Sequence, residues 1–325
     1  ENVRSVGAYD EVIGYVQDVG PPLRQILERI DPSQVAVSYS EDDESSDNIT
    51  HGMYLMLLRL LQNTPYLDRL EPADSVLMPL RARKSSEEVE RIRSSISATL
   101  ELFAQIEGLL VPGVTEVEVF EQVHRLIQAA ELDFAWDPRY DPVVNFGPES
   151  AFGHAGAGTN ELARGMIVHV DLGVKLRDYC SDLQRCWYLL REDESAPPSE
   201  LTSAFNAVRA SIEAGFEALR PGVPGHVVDA AARGALVKAG YNEPEFAFGH
   251  QLGQSAHDGG TLLGPHWPRY GRRPDLPIEE GSVFTLEFAV RTSAGPIGLE
   301  EDVLVTADGA GYLSSPQVDL WCLRR

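Results

Sequence analysis

Five side chains in the second two-thirds of the chain have the chemistry of metal ligands: Asp171, Asp182, His250, Glu287 and Glu301. Each stands in or beside an apolar, strand-like run. Burying one carboxylate in such a run is costly. Converging several on one pocket is costlier still, unless cations lie between them. Four acids and an imidazole are therefore the ingredients of a two-metal hydrolytic site. Any one of them alone reads equally well as a salt-bridged or surface residue.

The elements that must position them follow from strand alternation, since successive side chains point to opposite faces. In Met166–Val174 one face carries Val168, Val170, Leu172 and Val174, and the other carries His169, Asp171 and Gly173. In Val283–Arg291 the apolar face is Phe284, Leu286, Phe288 and Val290, which leaves Glu287 among Thr285, Ala289 and Arg291. Glu287 thus points into space that large side chains do not fill. Glu300 and Glu301 are neighbours, so they face opposite ways. Glu301 shares its face with Leu299, Val303 and Val305, and the expectation is Glu301 inside and Glu300 in solvent. Asp171 and Asp182 flank a turn at Lys175–Asp178, and a hairpin there brings both acids to one sheet face. His169 shares the Asp171 face and is either a support for it or a packing histidine. His250 lies in Phe248-Gly249-His250-Gln251-Leu252-Gly253, where the glycines allow backbone to approach a ligand closely.

Around these strands the chain reads as α+β. Residues 1–80 mix short apolar runs (Val35–Tyr39, Ser75–Leu80) with helical patterns (Leu23–Ile30, Met53–Leu61), which suits a small α/β domain. Arg81–Lys84 reads as a basic linker to a second domain over residues 85–325. Ser85-x-x-Glu88 is a capping box opening a helix with Val89, Ile92, Ile96, Leu100 and Phe103 on one face. An internal repeat follows. Pro112-Gly113-Val114 between two helical patterns recurs as Pro221-Gly222-Val223 between two more. Each copy precedes strands bearing an acid pair, so a pseudo-twofold site at the interface of two similar halves is expected.

Composition narrows the function classes. The chain has 325 residues and a formal net charge of −23, which disfavours a phosphate backbone as partner. Nucleic acid is therefore not expected. No run of about 18 apolar residues is present, so no membrane span is expected. The three cysteines, Cys180, Cys186 and Cys322, form no CxxC and read as reduced thiols of a cytoplasmic protein. The first residue is Glu1 rather than methionine, and no signal-peptide pattern follows it.

The motifs PESAFGHAG, HVDLGVKLRDYCSD, GHQLGQSAHDGG, GSVFTLEF and GLEEDVLVT occur in that order. Over roughly Ser85 to Leu313 the chain resembles the pita-bread-fold (creatinase/aminopeptidase) dinuclear metallopeptidases, most closely the Xaa-Pro branch of aminopeptidase P and prolidase. The preceding region looks like a truncated form of that branch's N-terminal α/β domain. The resemblance implies that Asp171 binds one metal through both oxygens, Asp182 and Glu301 bridge two metals, and His250 and Glu287 complete the second. His257 and His154 match histidines that contact substrate or the developing tetrahedral centre. The implied cofactors are two divalent ions, manganese or cobalt first, with zinc or iron compatible. They would hold a bridging water and lower its pKa, with Glu287 as proton shuttle. A small peptide substrate and a homodimer are implied as well.

Several positions depart from that pattern. Leu299 stands where the branch has an arginine two residues before the bridging glutamate, Phe288-Ala289 replaces Pro-Gly, Gln184 replaces threonine and Asp178 replaces glycine. Arg291, on the Glu287 face, is a candidate supporting cation in place of the missing arginine. The expected activity is hydrolysis next to proline in Xaa-Pro peptides or dipeptides. The alternatives are a non-proline aminopeptidase of the methionine aminopeptidase kind and a non-catalytic binding member of the fold. Trp267, Arg269, Tyr270, Arg272 and Arg273 form a loop that reads as exposed, with a pocket rim as the alternative.

Overall fold

In the computed structural model, residues 2–151, 153 and 156–325 are described. The chain forms two compact units, one ending at Leu77 and one running from Met78 to Arg325. In the first, helices Gly20–Ile30 and His51–Leu60 accompany two parallel strands, Val35–Val37 and Leu70–Pro72. A small core of Leu27, Leu61 and Tyr66 holds it together. The Ser75–Leu80 run is not extended. It lies in helix Asp74–Ala82 despite Pro79, and the second strand comes from Leu70–Pro72 instead. A six-residue apolar run fits strand and helix equally by pattern. Arg81–Lys84 is not a free linker either. Arg81 Nη2 lies 2.5 Å and Lys84 Nζ 3.1 Å from the buried Asp258 carboxylate.

The second unit opens with helix α1, Ser86–Leu109, capped by the reciprocal Ser85–Glu88 box. Helix α2, Glu116–Ala129, has the same device in Thr115 and Glu118. Strands β1 (Val143–Phe146), β2 (Ile167–Leu172) and β3 (Leu183–Leu189) follow, then helices α3 (Ser199–Ala218) and α4 (Gly225–Lys238). Strands β4 (Val283–Thr292), β5 (Gly295–Thr306), β6 (Gly309–Tyr312) and β7 (Trp321–Leu323) complete the unit. Among the described residues these strands make one sheet in the order β6-β5-β3-β2-β1, with β4 also on β5 and β7 also on β3. The pairings are antiparallel except β3 with β7.

The sheet is buried on both sides. α1 and α2 pack with Val168, Val170 and Leu172 in one core. α3 and α4 pack with Phe284, Leu286 and Phe288 in the other. The two helix pairs are equivalent in their turns. Gly113 and Gly222 both have positive φ, +90° and +83°, a backbone glycine adopts without strain. Gly113 N donates to Leu162 O and Gly222 N to Ile278 O, each at 2.8 Å. Leu162 N and Ile278 N return bonds to Val114 O and Val223 O. The repeat read in the sequence is thus a repeat of hydrogen bonding. No helix among the described residues is long and apolar enough to cross a membrane.

Candidate metal centre

The acids meet because four strands run side by side. Asp171 on β2 is opposite Gln184 on β3, Gln184 is opposite Glu300 on β5, and Glu300 is opposite Glu287 on β4. One row across the sheet therefore reads Asp171, Gln184, Glu300, Glu287. Asp182 enters just before β3, after a hairpin whose turn residues Arg177 and Asp178 both have positive φ (52° and 68°). Two consecutive left-handed residues are the pattern of a tight hairpin turn. His250 comes from a separate segment laid along β4, where Gln251 bridges to Phe284. These side chains line a cavity of about 570 Å³ together with His169 and His257.

The sequence expectation for the glutamate pair is reversed. Glu300 faces the cavity, with Oε1 3.9 Å from His250 Nε2. Glu301 faces away and is held by Arg185 Nη2 at 2.9 Å and by the Gln317 backbone N–H at 2.8 Å. The alternation itself was read correctly. Both faces of β5 are buried, with Glu300, Glu301 and Asp302 at 1%, 2% and 1% exposure, so neither is the solvent side. The aliphatic face goes to the helix core and the acidic face to the cavity. A consequence is that Gly298, not Leu299, stands two residues before the inward glutamate.

Two arginines stand near the acids. Arg291 lines the mouth of the cavity on the exposed end of β4, four residues or roughly 13 Å along the strand from Glu287. Buried Arg185 bonds the Glu300 and Gln184 carbonyls at 3.0 and 2.8 Å besides Glu301. Its signal lay in the sequence as an arginine inside the apolar run Leu183–Leu190. His169 Nε2 meets Gln184 Oε1 at 2.9 Å. His257 packs its ring 4.1 Å from that of His250, and its neighbour Asp258 is anchored by Lys84 and Arg81. His154 lies outside the described residues. The Trp267–Arg273 loop stands behind the cavity wall. Arg269 bonds the Glu245 carbonyl at 2.5 Å, and Arg233 bonds Phe246 O at 2.8 Å.

The electrostatics are those of a site built for cations. Asp182, His250 and Glu300 each offer a ligand atom within 4.8 Å of the others'. His250 Nε2 is 3.8 Å from Asp182 Oδ2. Asp171 Oδ1 and Glu300 Oε1 are buried with no hydrogen-bond partner among the described residues. Burial, and then repulsion from Glu300, hold the Asp171, Asp182 and Glu287 carboxyls well above the usual range. Burial pushes Glu300 itself up to about 7. Burial and the neighbouring His257 hold His250 well below the ordinary imidazole range, which leaves its ring neutral and able to ligate. Burial pushes the Cys186 thiol up to about 12, so thiolate is not a donor here. Oxygen and imidazole donors with orphaned oxygens fit divalent ions of the manganese, cobalt, iron or zinc type. A second group, His226, His266 and Asp275, lies nearer the surface. Its rings are taken up by hydrogen bonds to Pro274 O and Asp275.

Residues 90–307 match the model of metallopeptidase family M24. The Mycobacterium tuberculosis protein named "Probable dipeptidase PepE" is 32% identical over 247 residues, 73% of this chain and 60% of that protein. Xaa-Pro dipeptidase of Pyrococcus furiosus is 28% identical over 76% of this chain and 67% of its own length. The crystal structure of X-Pro aminopeptidase from Thermotoga maritima superposes with a TM-score of 0.75 at 21% identity, over 99% of this chain and 83% of that one. The fold is the pita-bread fold. The chain belongs to metallopeptidase family M24.

Proposed function

We propose that this protein hydrolyses the bond next to proline in short Xaa-Pro peptides or dipeptides, with two divalent ions held by Asp171, Asp182, His250, Glu287 and Glu300. The observation that carries the reading is the buried cluster of carboxylates and one imidazole, in which Asp171 Oδ1 and Glu300 Oε1 have no hydrogen-bond partner among the described residues. The preference for proline rests on the names of the relatives, Xaa-Pro dipeptidase and X-Pro aminopeptidase. Manganese or cobalt is the first expectation for the metal.

Bound divalent ions supply Lewis acidity and a water acidic enough to ionise near neutral pH. The chain's own groups do the rest. Glu287, which lines the cavity, accepts the proton of the attacking water and returns it to the leaving nitrogen as the C–N bond breaks. His257, its ring packed at a tilt against that of His250 at the cavity wall, orients the substrate carbonyl and stabilises its developing negative oxygen. His154 is assigned the same kind of contact on its sequence motif alone. The Tyr241–Phe246 segment, Val290 and Pro296 form the wall against which the substrate side chains pack. Arg291 at the mouth is placed to meet a substrate carboxylate.

The test is turnover of Xaa-Pro dipeptides, Xaa-Pro-Yaa tripeptides and methionyl peptides with added manganese or cobalt. Faster turnover of the proline substrates than of the methionyl ones is expected. Arg291→Ala should raise KM for dipeptides more than for amidated ones. Preferential cleavage of the methionyl peptides would replace this reading with the non-proline aminopeptidase, and absence of turnover on all of them would favour a binding role.

A further inference from the structure

Gln184 is the one neutral polar residue in the row of acids that crosses the sheet, and all three polar positions of its amide are engaged. Nε2 donates to Glu287 Oε2 at 2.8 Å and to Glu300 Oε2 at 2.9 Å. Oε1 accepts from His169 Nε2 at 2.9 Å. His169 Nδ1 lies 3.1 Å from Asn145 Oδ1, and Asn145 Nδ2 donates to Ala151 O at 2.8 Å. Gln184 and Asn145 are 4% and 3% exposed. The amide cannot be turned over, because that would point its oxygen at two carboxylates. Across from it the chain has Gly298. A Cβ there would lie 2.7 Å from both Gln184 Oε1 and His169 Nε2, so the bridge requires a residue without a side chain at this point.

We propose that Gln184 is a positioning residue. Its amide clamps one oxygen of Glu287 and one of Glu300 and leaves Glu300 Oε1, the orphaned oxygen, turned toward His250. The Nε2–H bond from His169 to Gln184 Oε1, with the space left by Gly298, fixes the amide's orientation. An ordinary alternative would be a glutamine that merely satisfies buried carboxylates. The clamp differs in what it predicts: without it the protein folds, but the two glutamates no longer stand preset for an ion. The inference rests on the metal-centre reading above.

The experiment is calorimetric titration of Mn²⁺ into metal-free protein. Gln184→Met keeps the volume and removes every bond of the amide. Gly298→Ala disturbs the bridge without touching either glutamate. Both should bind Mn²⁺ about 10- to 100-fold more weakly, the usual size of losing a partner that orients metal ligands. At saturating Mn²⁺, kcat should fall while KM stays within about threefold, since the amide does not hold the substrate. Mn²⁺ affinity within twofold of the parent in both folded variants would overturn the proposal. Failure of both to fold would assign the network to structure and overturn it too. Asp182→Asn separates the two ideas. If the parent protein binds Mn²⁺ and Asp182→Asn does not, the centre stands whatever Gln184 does. If the parent binds none, the centre itself is wrong.

Discussion

Glu300 and Glu301 are consecutive on one strand, equally buried, and opposite in electrostatic setting. Glu301 meets Arg185 and a backbone N–H. Glu300 meets the neutral amide of Gln184, a neutral imidazole and three more acids. The same contrast recurs elsewhere. Asp258 is matched by Lys84 and Arg81, and Asp229 by Arg233 at 2.7 Å. For Glu301, Asp258 and Asp229 the chain supplies a cation of its own. In the cavity, by contrast, Asp171 Oδ1 and Glu300 Oε1 are buried with no hydrogen-bond partner among the described residues. The burial of several acids around one cavity, rather than any single buried acid, marks the candidate site.

The largest effect should come from exchanging the roles of the two glutamates. Glu300→Gln should weaken ion binding and turnover by more than about a hundredfold, beyond the usual cost of a residue that only orients a ligand. Glu301→Gln should leave ion stoichiometry intact. Metal analysis and turnover of the two variants, side by side, decide it. The opposite ranking would restore the orientation expected from the sequence.

Next in size is the scaffold side of the comparison. Arg185→Met strands a buried carboxylate and should cost about 3–5 kcal/mol in denaturant unfolding. Adding Glu301→Leu should recover much of it, because the stranded charge is gone. A single-variant cost no larger than that of a surface substitution would remove Arg185 from its assigned role.

The smallest effect is on pH. In metal-free protein Glu300 titrates near 7 because of burial, against about 4.3 in an unfolded chain. Across that window the folded state holds a proton the unfolded state has lost, so this group's contribution to metal-free stability is lost as pH rises. Tm of the metal-free protein should therefore fall by several degrees between pH 5 and 8, and Glu300→Gln should flatten the slope. Excess Mn²⁺ should reverse it, since ions replace protons more readily as pH rises. An unchanged slope in Glu300→Gln would mean that other groups set it.

Much of this was legible in the residues. Period-two alternation put Asp171 and Glu287 on the faces they occupy, because a strand's side-chain direction is local geometry. The two capping boxes and the Pro-Gly turns are local as well, and the repeat follows from them. The five motifs, among them the one bearing Asp182 and the one bearing both His250 and His257, carried the family resemblance. Helix Asp74–Ala82 was not legible, since a short apolar run with a proline carries too little pattern to choose its state.

What the sequence determined was which residues share a face. What only the tertiary structure decided was which face is core and which is cavity. On β5, alternation separates Glu300 from Glu301, but the choice between them depends on helices packing over one side and strands β3 and β4 converging on the other. That choice is made by long-range packing, and no neighbour in sequence reports it. The amide clamp belongs to the same class. Gln184, His169, Asn145 and Gly298 come from four strands and become one network only when the sheet is assembled.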